Sequence, residues 1–304
     1  MLKALLGGLT AAMILAAPAT ATPKDPNKLF SDSKIVVRDR FSVEVAGKGP
    51  DIVFIPGLTS GRATWKASAD RLRATHRVHL IQIAGFAGEP ARANKDGDVF
   101  VPTAEAIDAY LVDRKLGPVT VVGHSLGGSM ALYLAQKHPE HVKRVMVVDS
   151  MPFLAQMFGG AQMTPESAKP MATAMRDGMA QGGETYAAGL KRQIGQMAKG
   201  DADKQMITDW GLTSDPTVAG RAMYDLLLLD QRPGLSQTKV PLTVVYPDNA
   251  PAGAKAGMMD GYYAGAYKPA PAVTLKRVDA SLHFVMLDQP QAFAEALDAF
   301  LSQP

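Results

Sequence analysis

Residues 119–135 read VTVVGHSLGGSMALYLA: a strand-forming run meets Gly123-His124-Ser125-Leu126-Gly127, and a helix-forming pattern resumes at once. A serine hydroxyl is a weak nucleophile unless a base takes its proton, and that base must reach an Oγ that projects clear of the backbone. A tight strand-to-helix turn gives the projection. It also crowds the positions two before and two after the serine, which then require glycine. Gly123 and Gly127 stand at both. The helix starting beside Leu126 aims its free N–H groups and positive dipole end at the same point, where an oxyanion would form. The stretch therefore suits attack by Ser125 on a carbonyl.

The elements that must position this serine are short, β-branched runs punctuated by Gly and Pro, which predict strands at 34–38, 42–45, 51–55, 77–83, 119–122, 143–148, 241–246 and 273–278. Several lack polar alternation, as strands buried on both faces of a parallel sheet do. Helical patterns fall at 61–73, 102–116, 127–137 and 290–302. The alternation predicts an α/β sheet with right-handed crossovers. The spacing breaks once, between Val148 and Pro241, a gap far longer than a crossover of about a dozen residues. Within it, Met171, Met175 and Met179 share one face of a helix opening at Thr164-Pro165 and closing at Gly182-Gly183. A second pattern, DPTVAGRAMYDLLLLDQRP, predicts a helix closed by Pro233. Residues 151–238 thus read as a helical insertion. It holds nine of the 16 methionines, either as filler of its own core or as a deformable apolar wall around a substrate.

The 304 residues are 47% hydrophobic and 20% charged, a globular balance. The net charge of +3 is spread without a basic run, so no nucleic-acid partner is expected. The absence of cysteine excludes disulfides, thiolate catalysis and Cys-ligated zinc. Residues 1–21 carry Lys3, an apolar run and Ala19-Thr20-Ala21, the pattern of a secretory signal cut after Ala21. The strongly apolar core, Leu9 to Ala17, is short of the roughly 20 residues that span a bilayer. A periplasmic or secreted mature chain without stable membrane insertion is expected. Oligomeric state is not legible.

With IPGL at 55–58, GHSLGG at 123–128, the insertion after Val148 and HFVMLDQPQAFAEALDAFL at 283–301, the chain resembles the α/β-hydrolase family, in its serine-nucleophile branch of esterases, lactonases and cofactor-free perhydrolases. The resemblance implies a central, mostly parallel eight-stranded sheet flanked by helices, with the active site at the C-terminal strand ends. Residues 22–150 and 239–304 would form the core, and the insertion a cap between strands 6 and 7. The family order of nucleophile, acid and histidine implies His283 as general base. Both Asp248 and Asp149 fit that order for the acid; Asp248, in the region where the family usually carries it, is favoured, with Asp149, where some relatives place it, as the alternative and Asp260 and Asp279 as remainders. His76 and His79 flank a strand, and His138 and His141 lie at a helix end, so they suit the base role less well.

Leu126 N–H and Leu58 N–H are the implied oxyanion donors, and Pro56 stands where many relatives have His. Gly57, His124, Met151, Phe153 and Phe284 are expected to line the pocket. No metal or organic cofactor is expected, because HPEH at 138–141 and DADK at 201–204 offer too few spaced ligands. Ser125 excludes relatives that need an aspartate nucleophile, the dehalogenases and epoxide hydrolases. The expected reaction is hydrolysis of a small or medium carboxylic ester through an acyl-enzyme. The alternatives are a lactonase, including one for acylated lactone signals, a perhydrolase side activity, a carbon–carbon bond hydrolase, and a non-catalytic small-ligand binder.

Overall fold

Eight strands form one sheet: β1 (Lys34–Val37), β2 (Phe41–Gly47), β3 (Asp51–Ile55), β4 (Arg77–Ile83), β5 (Val119–His124), β6 (Val142–Val148), β7 (Leu242–Pro247) and β8 (Val273–Val278). The computed structural model describes residues 28–303, so the secretory-signal expectation lies outside the described residues. The spatial order is β1-β2-β4-β3-β5-β6-β7-β8. Strand β2 runs antiparallel to both β1 and β4, and every other pairing is parallel. Strands β5 and β7 are buried along their whole length, and β3 except at Asp51, which explains their continuous apolar runs. Strand β8 closes one edge and is largely exposed.

Helices α1 (Lys66–Leu72), α2 (Phe100–Asp113) and α3 (Leu126–Lys137) belong to the first half of the chain. Five more lie between β6 and β7: α4 (Gln156–Gly159), α5 (Pro165–Gln181), α6 (Gly183–Ile194), α7 (Asp201–Thr213) and α8 (Pro216–Leu228). Helices α9 (Met258–Tyr267), α10 (Val285–Asp288) and α11 (Pro290–Leu301) follow. None of the described helices is long and apolar enough to cross a membrane. Apolar side chains pack on both faces of the sheet, with Phe41, Ile81, Val121 and Met130 in one cluster and Phe54, Trp65, Val122 and Phe293 in the other.

Helix α5 starts and ends where the sequence predicts. Thr164 caps α5 in a reciprocal box with Ser167, Pro165 opens the helix, and Gly182 ends it with φ of +60°. Asp215 caps α8 through the N–H groups of Thr217 and Val218. That helix stops at Leu228 rather than at Pro233, which falls within a separate 3-10 turn, Arg232–Gln237. Met171, Met175 and Met223 pack around Ala168, Ala172 and Leu227, so these methionines fill the seam between α5 and α8. Backbone groups fasten the insertion to loops that follow the strands: Asp215 N–H to Gly85 O at 2.8 Å, Gly88 N–H to Thr213 O at 3.2 Å, and Phe284 N–H to Met197 O at 3.0 Å.

Candidate active site

Ser125 sits between the last residue of β5 and the first of α3 with φ 53° and ψ −121°, a conformation that costs a non-glycine residue about 1–3 kcal/mol. Its neighbours permit it. A Cβ on Gly123 would lie 2.0 Å from the Gly127 carbonyl oxygen, and one on Gly127 would lie 2.3 Å from that of Ile55. Chain crossings this close admit only glycine. Ser125 N–H donates to Val148 O at 2.9 Å, which fixes the turn against β6. The Ser125 side chain makes no capping bond to α3, and among the described residues its hydroxyl meets no hydrogen-bond partner.

One strand over, Asp149 leaves β6 with φ of +44° and donates its N–H to Val245 O at 2.8 Å. Its Oδ2 lies 2.5 Å from His283 Nδ1, and its Oδ1 accepts the Tyr263 hydroxyl. The side chains of Asp149 and His283 are 12% and 22% exposed, so the pair is sheltered yet reachable. With Nδ1 committed to the carboxylate, Nε2 is the nitrogen left for a reacting group. Ser125 Oγ and His283 Nε2 are not hydrogen-bonded to one another here. Such contacts are often long before substrate binds.

The preference for Asp248 as the partner of His283 is thus corrected. Strand β7 lies one place farther from β5 than β6 does, and the Asp248 carboxylate is taken up locally. Its Oδ1 accepts the N–H groups of Ala250 at 3.1 Å and Ser281 at 3.3 Å, which ties the loop after β7 to the loop carrying His283. Burial opposes its ionisation, but the N–H groups of Ala280, Ala250 and Ser281 and the charge of Arg277 outweigh it and hold the carboxyl below its ordinary value. Asp260 accepts from Tyr246 and pairs with Arg277 at 2.5 Å, and Asp279 pairs with Arg277 at 2.6 Å.

A tyrosine stack from β7 and α9 supports Asp149. Tyr246 and Tyr263 stack at 4.3 Å between centroids, Tyr263 and Tyr267 at 6.5 Å, and Tyr267 donates to Ser150 O at 2.7 Å. Burial, and next the charge of Asp149, hold the Tyr263 hydroxyl protonated far above the usual tyrosine range, so it stays a donor. These residues escape a sequence reading because MMDGYYAGAY, with its glycines and tyrosines, carries no clear helical period. The one local signal is Tyr263 and Tyr267 spaced four apart.

His124 is fully buried beneath the site, its ring 4.4 Å from that of His283 and 4.7 Å from Phe284. Its Nε2 is 3.0 Å from the His283 carbonyl oxygen, so Nε2 carries the hydrogen, and Nδ1 is an acceptor without a partner among the described residues. Burial, then the neighbouring His283 ring, keep it neutral, with a pKa well below the ordinary histidine value. A Cβ on Gly57 would lie 3.2 Å from Ser125 Cβ, which brings the 55–58 loop against the elbow. Among the described residues neither Leu58 N–H nor Leu126 N–H meets a protein acceptor.

Of the remaining pocket expectations, Phe284 is buried against both histidines and Met151 is buried in the core. Phe153 is a correction. It is fully buried with Ala168, Ala172 and Leu227, under the Arg232 guanidinium at 4.5 Å, because packing the insertion needs its ring more than a pocket wall does.

Comparison with known proteins bears on the family and the fold. The model described as "Alpha/beta hydrolase family" matches residues 52–296. The pimeloyl-[acyl-carrier protein] methyl ester esterase of Aromatoleum aromaticum is 28% identical over 207 residues, which is 65% of this chain and 78% of that protein. The one from Aeromonas salmonicida is 34% identical over 116 residues, 38% of this chain, and the match spans only 44% of that relative's length. Among solved structures, an esterase from Exiguobacterium antarcticum superposes with a TM-score of 0.72 at 19% identity, covering 86% of this chain and 96% of that one. The enol-lactonase from Burkholderia xenovorans LB400 gives 0.69 at 17% identity, with the same coverage. At these identities the structural likeness is one of fold.

Proposed function

The chain belongs to the alpha/beta hydrolase family, and on that premise we propose that it is a serine hydrolase of small to medium carboxylic esters, with Ser125 as nucleophile, His283 as base and Asp149 as acid. The observation that carries the reading is the 2.5 Å contact of His283 Nδ1 with Asp149 Oδ2, one strand from a serine on a strained elbow. His283 Nε2 takes the Ser125 proton as Oγ attacks the ester carbonyl, and Asp149 stabilises the imidazolium and fixes its tautomer. The N–H groups of Leu126 and Leu58 receive the oxyanion, at a point reinforced by the start of α3. Collapse breaks the ester bond, and His283 returns the proton to the departing alcohol. Water, deprotonated by His283, then cleaves the acyl-enzyme and restores Ser125.

Relatives named as methyl ester esterases support an ester with a small alcohol portion. The insertion serves as a cap, a reading supported by its bonds to Gly85, Gly88 and Phe284, beyond the ends of β4 and β8. The signal-like residues 1–21 support an exported, periplasmic or secreted enzyme. The test is labelling of the mature chain with a fluorophosphonate, alongside hydrolysis of p-nitrophenyl esters of graded acyl length. Labelling that maps to Ser125, and turnover lost in Ser125→Ala and His283→Ala, are the expected results. A folded wild type that neither labels nor hydrolyses any ester refutes the hydrolase reading.

A further inference from the structure

At the far end of α3 from Ser125, three side chains converge that the ester chemistry does not use. His138 follows the helix and His141 closes the next turn, with His141 N–H donating to His138 O at 3.0 Å and Val119 N–H to His141 O at 2.9 Å. Pro139 stiffens the turn between them. The two imidazole planes lie 9° apart. The third member, Asp108, is buried on α2 and meets both rings: Oδ1 is 2.7 Å from His141 Nδ1, and Oδ2 is 3.4 Å from His138 Nδ1. One ligand atom from each of the three falls within 4.8 Å of the others. The HPEH sequence supplies the two histidines, and the carboxylate of Asp108 joins them only when α2 packs on α3.

The outer groups fit the same purpose. His138 Nε2, the nitrogen turned away from Asp108, is held by both oxygens of Glu105 at 3.1 and 3.0 Å, and Glu105 in turn accepts the Tyr133 hydroxyl at 2.7 Å. A carboxylate behind a histidine orients the ring and raises its basicity as a ligand, the usual support of a metal-bound imidazole. We infer that Asp108, His138 and His141 bind a transition dication of the Zn²⁺ class, with Glu105 as the support of His138. Two imidazoles and one carboxylate suit zinc, with the open position left to water. Glu140, whose Oε1 is 4.0 Å from His141 Nδ1 and whose side chain is exposed, is a nearby fourth donor. Helix α3 is about 18 Å long at 1.5 Å per residue, so the ion stands apart from the ester chemistry and clasps α2 to α3.

The test is titration of the metal-stripped, tag-free mature chain with Co²⁺, read by its visible absorption bands, followed by displacement with Zn²⁺. One equivalent per chain is expected, with a rise in Tm on Zn²⁺ addition and no change in labelling at Ser125. His141→Ala and Asp108→Asn are expected to weaken binding roughly 100-fold or more, and Glu105→Gln roughly 10–100-fold. His141 is partly exposed, so its variant carries the test should Asp108→Asn fail to fold. Wild type that binds Co²⁺ no more tightly than His141→Ala overturns the site and leaves the cluster as imidazole–carboxylate pairs alone.

Discussion

Tyr263 donates its hydroxyl hydrogen to Asp149 Oδ1 and leaves Oδ2 to His283, so a residue of α9 sets the orientation of a carboxylate at the end of β6. A hydrogen bond to a charged group contributes about 1.5–3 kcal/mol net, and a buried acceptor deprived of its donor loses that support. Tyr263→Phe is therefore expected to lower kcat about tenfold, equivalent to about 1.4 kcal/mol of barrier, with KM nearly unchanged. Steady-state kinetics on a p-nitrophenyl ester separates the two constants. A fall in Tm with kcat intact would make the contact one of stability only.

Asp149 and Asp248 are distinguished by one experiment. Asp149→Asn removes the group that holds the His283 tautomer, and a loss on the order of 10⁴-fold in kcat is expected. Asp248→Asn keeps an oxygen for the Ala250 and Ser281 N–H groups and weakens only a loop, so activity within a few-fold of wild type and a lower Tm are expected. The reverse ranking would place the acid on β7.

The sheet was legible because its strands are short apolar runs bounded by turn residues, and each of the eight falls where such a run predicts it. The elbow was legible for a local reason: steric crowding around one serine dictates two glycines a fixed distance away. The carboxylate partner of His283 was not, because two aspartates end neighbouring strands and only the sheet order and the paths of their loops decide which reaches His283. Asp149 and Asp248 carry equivalent signals in one dimension. The tyrosine stack and the Asp108–His138–His141 cluster were hidden likewise, since each joins elements far apart in sequence.

Glycine at the elbow is required by space. A Cβ on Gly127 would meet the Ile55 carbonyl oxygen at 2.3 Å and that of Pro56 at 2.6 Å, both backbone atoms that cannot turn aside. Gly127→Ala must push α3 away from β3, and a destabilisation of about 3 kcal/mol or more is expected, within the range of overpacked cores. Gly189, in the middle of α6 with nothing within 4 Å of an added Cβ, is the control. Gly189→Ala is expected to stabilise by about 0.5–1 kcal/mol through helix propensity. Chemical denaturation of the two variants should give shifts of opposite sign.

His124 makes the stability of the fold depend on pH. Burial and the adjacent His283 ring depress its folded-state pKa well below the ordinary value near 6.5. Its contribution is therefore fully present above about pH 6.5, and it is lost as the pH falls, because the unfolded chain gains a proton that the folded one refuses. One differential proton corresponds to about 1.4 kcal/mol per pH unit. His124→Gln keeps an N–H donor for the His283 carbonyl and removes the titration. Urea unfolding at intervals from pH 8 to pH 5 should show wild type losing stability below pH 6.5 more steeply than the variant, by up to that slope. Parallel curves would mean that His124 accepts a proton in the folded state, and the neutral ring beneath His283 would have to be abandoned.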